Sequence, residues 1–119
     1  MVQKAGDYLK ENGKEKAFAA FADKANPQFH DRDLYIFVYD LKGVNLSHGN
    51  NAKMVGKDLI DMKDTDGTFL IRKMIEVANT AGKGWVDYKW PNPTTKQVEQ
   101  KSSYVEKRDN LIVGSGIYK

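Results

Sequence analysis

The segment Leu34-Tyr35-Ile36-Phe37-Val38-Tyr39-Asp40-Leu41 constrains this chain more than any other. Its residues are apolar at odd and even positions alike and rich in β-branched and aromatic types, the pattern of a strand covered on both faces. Such a strand needs a layer on each side, and a chain of 119 residues has room for one core of that kind. Residues 1–119 therefore read as a single domain. Lys42-Gly43 turns the chain, the glycine supplying the positive φ that a hairpin demands, and Val44 to His48 reads as the partner strand.

Upstream, Val2 to Ala25 favours helix. Ala5, Tyr8, Leu9, Ala17, Phe18 and Phe21 recur at helical spacings, and Gly13 predicts a bend or break. The helix must end before Asn26-Pro27, because the residue preceding proline is pushed out of the helical region. Asn50 to Lys63 is irregular, with room for a short helical turn. Phe69, Leu70, Met74, Val77, Ala78 and Ala81 then form the apolar stripe of a second helix. Asp64 or Asp66 is expected to cap its start, and Gly82 and Gly84 to end it.

Three β-segments follow, Trp85–Trp90, Val98–Lys107 and Leu111–Tyr118, with connections short enough to make them antiparallel neighbours. The order is helix, two strands, helix, three strands. That predicts an α+β fold: one five-stranded antiparallel sheet with helices over its faces.

Register can be read from the same pattern. A turn at Thr94-Thr95 sets Tyr88 opposite Lys101 and puts Val86, Tyr88 and Trp90 on one face with Ser103, Lys101 and Glu99. Carried across the last hairpin, the parity adds Gly114, Gly116 and Tyr118 to that face, and two glycines there predict a hollow. An ammonium and a phenol converging on an aromatic hollow suit a small carboxylate. The competing reading is ordinary core: Tyr88 and Trp90 packed as aromatics, Lys101 reaching outward, and the glycines marking bulges.

Other chemistries find less support. Cysteine is absent, so disulfides, thiolate nucleophiles and Cys-based zinc sites are excluded. The two histidines, His30 and His48, lack partners at ligand spacing, and no metal site is expected. Asp64-Thr65-Asp66-Gly67 fails as a calcium loop, because aligning Gly67 with the invariant glycine puts Met62 and Lys73 at the end ligands. Gly114-Ser115-Gly116 lacks the spacing of a nucleophile elbow. The Asn45-Leu46-Ser47 sequon falls in an expected strand and reads as coincidence. A net charge of +3, with both signs interspersed, argues against a nucleic-acid partner. No basic segment leads into an apolar core at the N-terminus, and no run of about 18 apolar residues occurs.

An ordered series of motifs goes further. Asp33-Leu34-Tyr35-Ile36-Phe37-Val38-Tyr39-Asp40, Gly43, His48-Gly49, Val55-Gly56-Lys57-Asp58 and Asp66-Gly67 are followed by Gly84-Trp85-Val86-Asp87-Tyr88-Lys89-Trp90-Pro91. Lys101 with Tyr104, and Gly114-Ser115-Gly116-Ile117-Tyr118, close the series. In that order they resemble the single Cache domains of bacterial sensors, over residues 33–119, with a compatible helix in residues 1–25.

The resemblance implies a PAS-like core and a long N-terminal helix, a periplasmic or other extracytoplasmic location, and capture of a small organic ligand without turnover. Acetate, propionate, pyruvate and lactate represent the ligand class it implies, with no cofactor. It also implies that Tyr88 and Lys101 contact the carboxylate and that His48 adds a polar contact. Tyr35, Phe37, Trp85 and Trp90 are its candidate walls, although strand parity forbids all four from facing one side.

The full protein is expected to be a membrane-anchored receptor or a soluble exported one, and the end of the chain just after the last strand favours a standalone protein. The alternatives are a small hydrolase using unpaired carboxylates, a haem binder ligated through His48, and a purely structural interaction module.

Overall fold

The computed structural model describes all residues from Met1 to Lys119. Two helices, α1 (Val2–Asn12) and α2 (Lys14–Ala22), precede a two-stranded ribbon of β1 (His30–Asp31) and β2 (Leu34–Tyr35). Strands β3 (Phe37–Asp40) and β4 (Asn45–His48) follow, then a single 3-10 turn at Ala52–Met54 and α3 (Leu70–Ala81). The chain closes with β5 (Lys83–Pro91), β6 (Val98–Arg108) and β7 (Leu111–Tyr118). The five longer strands form one antiparallel sheet in the order β4-β3-β7-β6-β5. The fold is α+β, as the order of patterns predicts.

The Leu34–Leu41 run is buried on both faces, but it changes partner midway. Leu34 and Tyr35 pair back onto β1, and Phe37 to Asp40 lie between β4 and β7. Alternation divides the core in two. Tyr35, Phe37 and Tyr39 pack against Leu70, Ile71, Met74 and Ala78 of α3, whereas Ile36 and Val38 pack with Ala5, Leu9, Ala17 and Phe21 of the N-terminal helices. Each fully buried large side chain in these clusters contributes about 1.5–3 kcal/mol by leaving water. Leaving both clusters open to solvent is not an option for so small a chain, so α3 must cover one face and α1 with α2 the other.

Gly13 breaks the N-terminal helix by adopting φ 82, and its N–H caps the Leu9 carbonyl. Gly82 closes α3 in the left-handed conformation. Asn45 is fully buried beside β3, which leaves its sequon out of reach of any transferase.

Two local expectations are corrected. Neither Asp64 nor Asp66 caps α3, whose N-cap position is Phe69 and carries no side-chain cap. Asp64 instead accepts the N–H groups of Asp66 and Thr68 and, across the chain, that of Lys89 at 2.8 Å, pinning the loop before α3 onto β5. An acceptor serving three backbone donors is more fully satisfied there than at a helix start. The β5–β6 connection is also wider than a two-residue turn. It runs through Pro93–Lys96, closed by Asn92 N–H donating to the Gln97 carbonyl at 2.8 Å. Because it stays centred on Thr94-Thr95, the register is the expected one, with Tyr88 opposite Lys101.

Asp64→Ala removes all three acceptor contacts and is expected to lower the stability of the domain by about 1–3 kcal/mol. Urea denaturation checks it, and an unchanged midpoint would mean that the loop is held by other contacts.

Candidate ligand-binding site

The inner face of the sheet and α3 enclose a cavity lined by Tyr35, Phe37, Tyr39, His48, Leu70, Met74, Tyr88, Trp90 and Lys101. Strand alternation brings these side chains together: Tyr35, Phe37 and Tyr39 from one run, Tyr88 and Trp90 from β5, and Lys101 from β6 beneath them. About 10 Å³ is open to the centre of a water molecule, room for roughly one water.

Lys101 is the unusual member. It is 1% exposed, and its Nζ donates to the Tyr35 hydroxyl at 3.0 Å. The ammonium also lies 4.4 Å from the centroid of the Tyr35 ring and 4.9 Å from that of Tyr118. No carboxylate forms an ion pair with it. Aromatic faces offset part of the charge, but an ammonium carries three donors and only one meets an oxygen. Burial lowers its pKa to about 7, against the weaker opposing pull of Asp33.

His48 is held in one tautomer. Its Nδ1 accepts the N–H groups of Asn50 and Asn51 at 3.2 and 2.9 Å, which leaves Nε2 to carry the proton. Burial, and then the charge of Lys101, push its pKa down to about 3, so the imidazole is a neutral donor across the physiological range. The Tyr88 hydroxyl shares a 2.8 Å hydrogen bond with Ser103 Oγ. Burial raises the phenol's pKa well above its usual value, against the opposing hydrogen bond from Ser103, and Tyr88 stays protonated.

Six of the seven sequence-derived residues, Tyr35, Phe37, His48, Tyr88, Trp90 and Lys101, line this one cavity. Trp85 does not. It sits on β5 one residue out of phase with Val86 and Tyr88, is 60% exposed on the opposite face, and packs on Tyr104 with ring centroids 5.5 Å apart. The expected hollow above the glycines is also corrected. A Cβ at Gly114 would overlap the Phe37 ring, and one at Gly116 would overlap Ser103 Oγ and Lys101 Cε. The glycines thus admit the side chains that shape the site instead of leaving it empty.

Sequence reasoning passed over Tyr39, Leu70 and Met74 as lining residues. Tyr39 shares the parity of Tyr35 and Phe37 and was findable on that signal. Leu70 and Met74 belonged to a helix stripe that gave no sign of which sheet position it would meet. A porphyrin is far larger than the enclosed space, so His48 has no room to serve as a haem ligand here.

This arrangement, an antiparallel sheet with a polar-tipped aromatic cavity under one helix, has known counterparts. The family profile described as Single Cache domain 2 matches residues 2–119. The chain belongs to the single Cache domain family.

Among relatives of this Cache domain, the sensor histidine kinase MctS of Rhizobium johnstonii is 37% identical over 91 residues, 75% of this chain and 20% of the kinase. The chain spans about a fifth of the length of the curated relatives it matches. A solved structure titled for carboxylic acid recognition by a Cache chemosensory domain is 28% identical, with a TM-score of 0.80 over 98% of this chain and 78% of that one. The periplasmic sensor domain of a chemotaxis protein is 27% identical, with a TM-score of 0.77 over 98% and 84%. The domain is therefore a sensor module of the kind carried by chemoreceptors and histidine kinases, and not an enzyme.

The depressed pKa of Lys101 sets the sign of a pH effect. Below about pH 7 the amine is charged in folded and unfolded chains alike, and folding bears the full burial penalty. Between about pH 7 and 10 the unfolded chain holds the proton that the folded one releases, so the stability of the free domain should rise with pH. Lys101→Met is expected to remove that rise and to stabilise the free domain near pH 6, as denaturant titrations across this range would show. A second variant, Gly116→Ala, is expected to displace the Lys101 stem and lower the melting temperature.

Proposed function

We propose that this Cache domain captures a short-chain monocarboxylate, with the Lys101 ammonium as its counter-ion. The observation that carries the reading is a buried ammonium with unsatisfied donors and no carboxylate partner. A ligand carboxylate supplies both the missing charge and the missing acceptors, and a charge-assisted contact of that kind is about twice as strong as a neutral one. The Tyr35 hydroxyl, which the ammonium already contacts, and the His48 Nε2–H are polar groups of the same cavity lining, and Tyr88 is held by Ser103. Phe37, Tyr39, Leu70 and Met74 leave an apolar end for a tail of one or two carbons.

The small free volume favours acids of the acetate, propionate, pyruvate and lactate class, admitted as the lining side chains shift outward. The carboxylic-acid recognition named for a 28% identical neighbour supports the same class. The histidine kinase and chemotaxis relatives support a periplasmic module that reports ligand to a larger, membrane-anchored receptor.

A thermal-shift screen of these acids tests the reading. At a ligand concentration about 100 times the Kd, binding should add about 2.7 kcal/mol to stability and raise the melting temperature by several degrees. Lys101→Met should abolish the response while remaining folded. Because the protonated amine is the binding form, affinity should fall about fivefold between pH 7 and pH 8. Retention of the shift in Lys101→Met would remove Lys101 from this role.

A further inference from the structure

We infer that the cleft formed by Lys24, Arg32 and Lys96 is the route by which an anionic ligand reaches the buried cavity, past Tyr35. The inference rests on the carboxylate reading above and adds to it where the anion is first drawn in.

Tyr35 carries the geometric part of the argument. It is 3% exposed, it forms the cavity wall on which the Lys101 ammonium rests, and it also lines a surface cleft of about 360 Å³ outside. Three other surface clefts share no lining residue with the cavity: the one between α1 and β7, the one beside Trp85 and Tyr104, and the one between α3 and β5. Tyr35 is the one residue that lines both this cleft and the cavity.

Charge points the same way. Lys24, Arg32 and Lys96 line the Tyr35 cleft together, and no carboxylate lines it. Arg32 is paired with Asp31 at 3.2 Å, but Lys24 and Lys96 have no ion-pair partner. A concave surface of one sign concentrates counter-charged solutes and raises their association rate by about tenfold or more at low ionic strength.

Backbone conformation adds an independent mark. Only three non-glycine residues in the chain have positive φ, and two of them are Arg32 at 57° and Lys96 at 64°. A long cationic side chain is a poor choice at such positions, where glycine or asparagine relieves the strain. Two turns that meet at one cleft both carry a cation where local stability favours neither.

Stopped-flow fluorescence with propionate as the probe tests the inference. The parent carries Trp85→Phe, which leaves Trp90 on the cavity wall as the reporter. Combined Lys24→Gln, Arg32→Gln and Lys96→Gln substitutions should slow association about tenfold at roughly 10 mM salt. Dissociation should stay within about twofold, and the difference should largely vanish near 300 mM salt. A second variant, Arg32→Gly with Lys96→Gly, should also slow association while its melting temperature is unchanged or higher, which separates steering from unfolding.

A control with Lys10→Gln, Lys14→Gln and Lys107→Gln at the α1–β7 cleft should associate at the parent rate. An unchanged association rate in the triple Tyr35-cleft variant, or an equal loss in the control, overturns the route while leaving the carboxylate site standing. Failure of propionate, acetate, pyruvate and lactate all to bind the parent overturns the site and the route together.

Discussion

The pairing of β3 with β7 is the contact on which the rest of the molecule depends. It joins Phe37–Asp40 to Leu111–Gly114 across more than seventy residues, and it puts a strand that is apolar on both faces in the interior of the sheet. Such a strand must be covered twice. One cover is α3 and the other is the pair α1 and α2, so a single ladder dictates three layers and two separate apolar clusters. The candidate cavity is the place where the α3 cluster gives way to polar tips, where the start of β3 meets the end of β4.

Within that cavity the balance of forces is unusual for a core. Hydrophobic burial assembles Tyr35, Phe37, Tyr88 and Trp90, and the same burial strips water from the Lys101 ammonium without returning an anion. Desolvation of a charge is expensive enough to move its pKa by several units, and the aromatic faces and one phenol offset only part of it. The free domain thus holds an electrostatic deficit at one point. On the proposed function a carboxylate relieves that deficit, so that affinity for it and instability of the free site would share one cause. His48 avoids the same conflict by staying neutral, its Nδ1 occupied by two backbone donors.

The glycines illustrate how a correct pattern can mislead about its purpose. Gly114 and Gly116 fall on the cavity face, as alternation predicts, yet the space their missing side chains release is taken by the Phe37 ring and the Lys101 stem. A sequence reports the missing Cβ but not the side chain that arrives over it. The ring comes from β3, a strand that meets β7 only in the folded sheet. Asp64 makes the same point: its place before a helix suggested a cap, and a backbone N–H on β5 recruited it instead.

What the sequence by itself determined is everything that follows from period-two alternation and turn position. The doubly covered strand, the break at Gly13, the partnership of Tyr88 with Lys101 and the common face of Trp90, Gly114, Gly116 and Tyr118 are properties of neighbouring residues, legible locally. Tertiary structure alone decided that Lys101 is sealed from solvent and that Leu70 and Met74 close the cavity. It also gathered Lys24, Arg32 and Lys96 around Tyr35. Those outcomes depend on which face of the sheet each helix covers and on which distant turns meet. That choice is made by the total apolar area buried, not by any pattern within one segment.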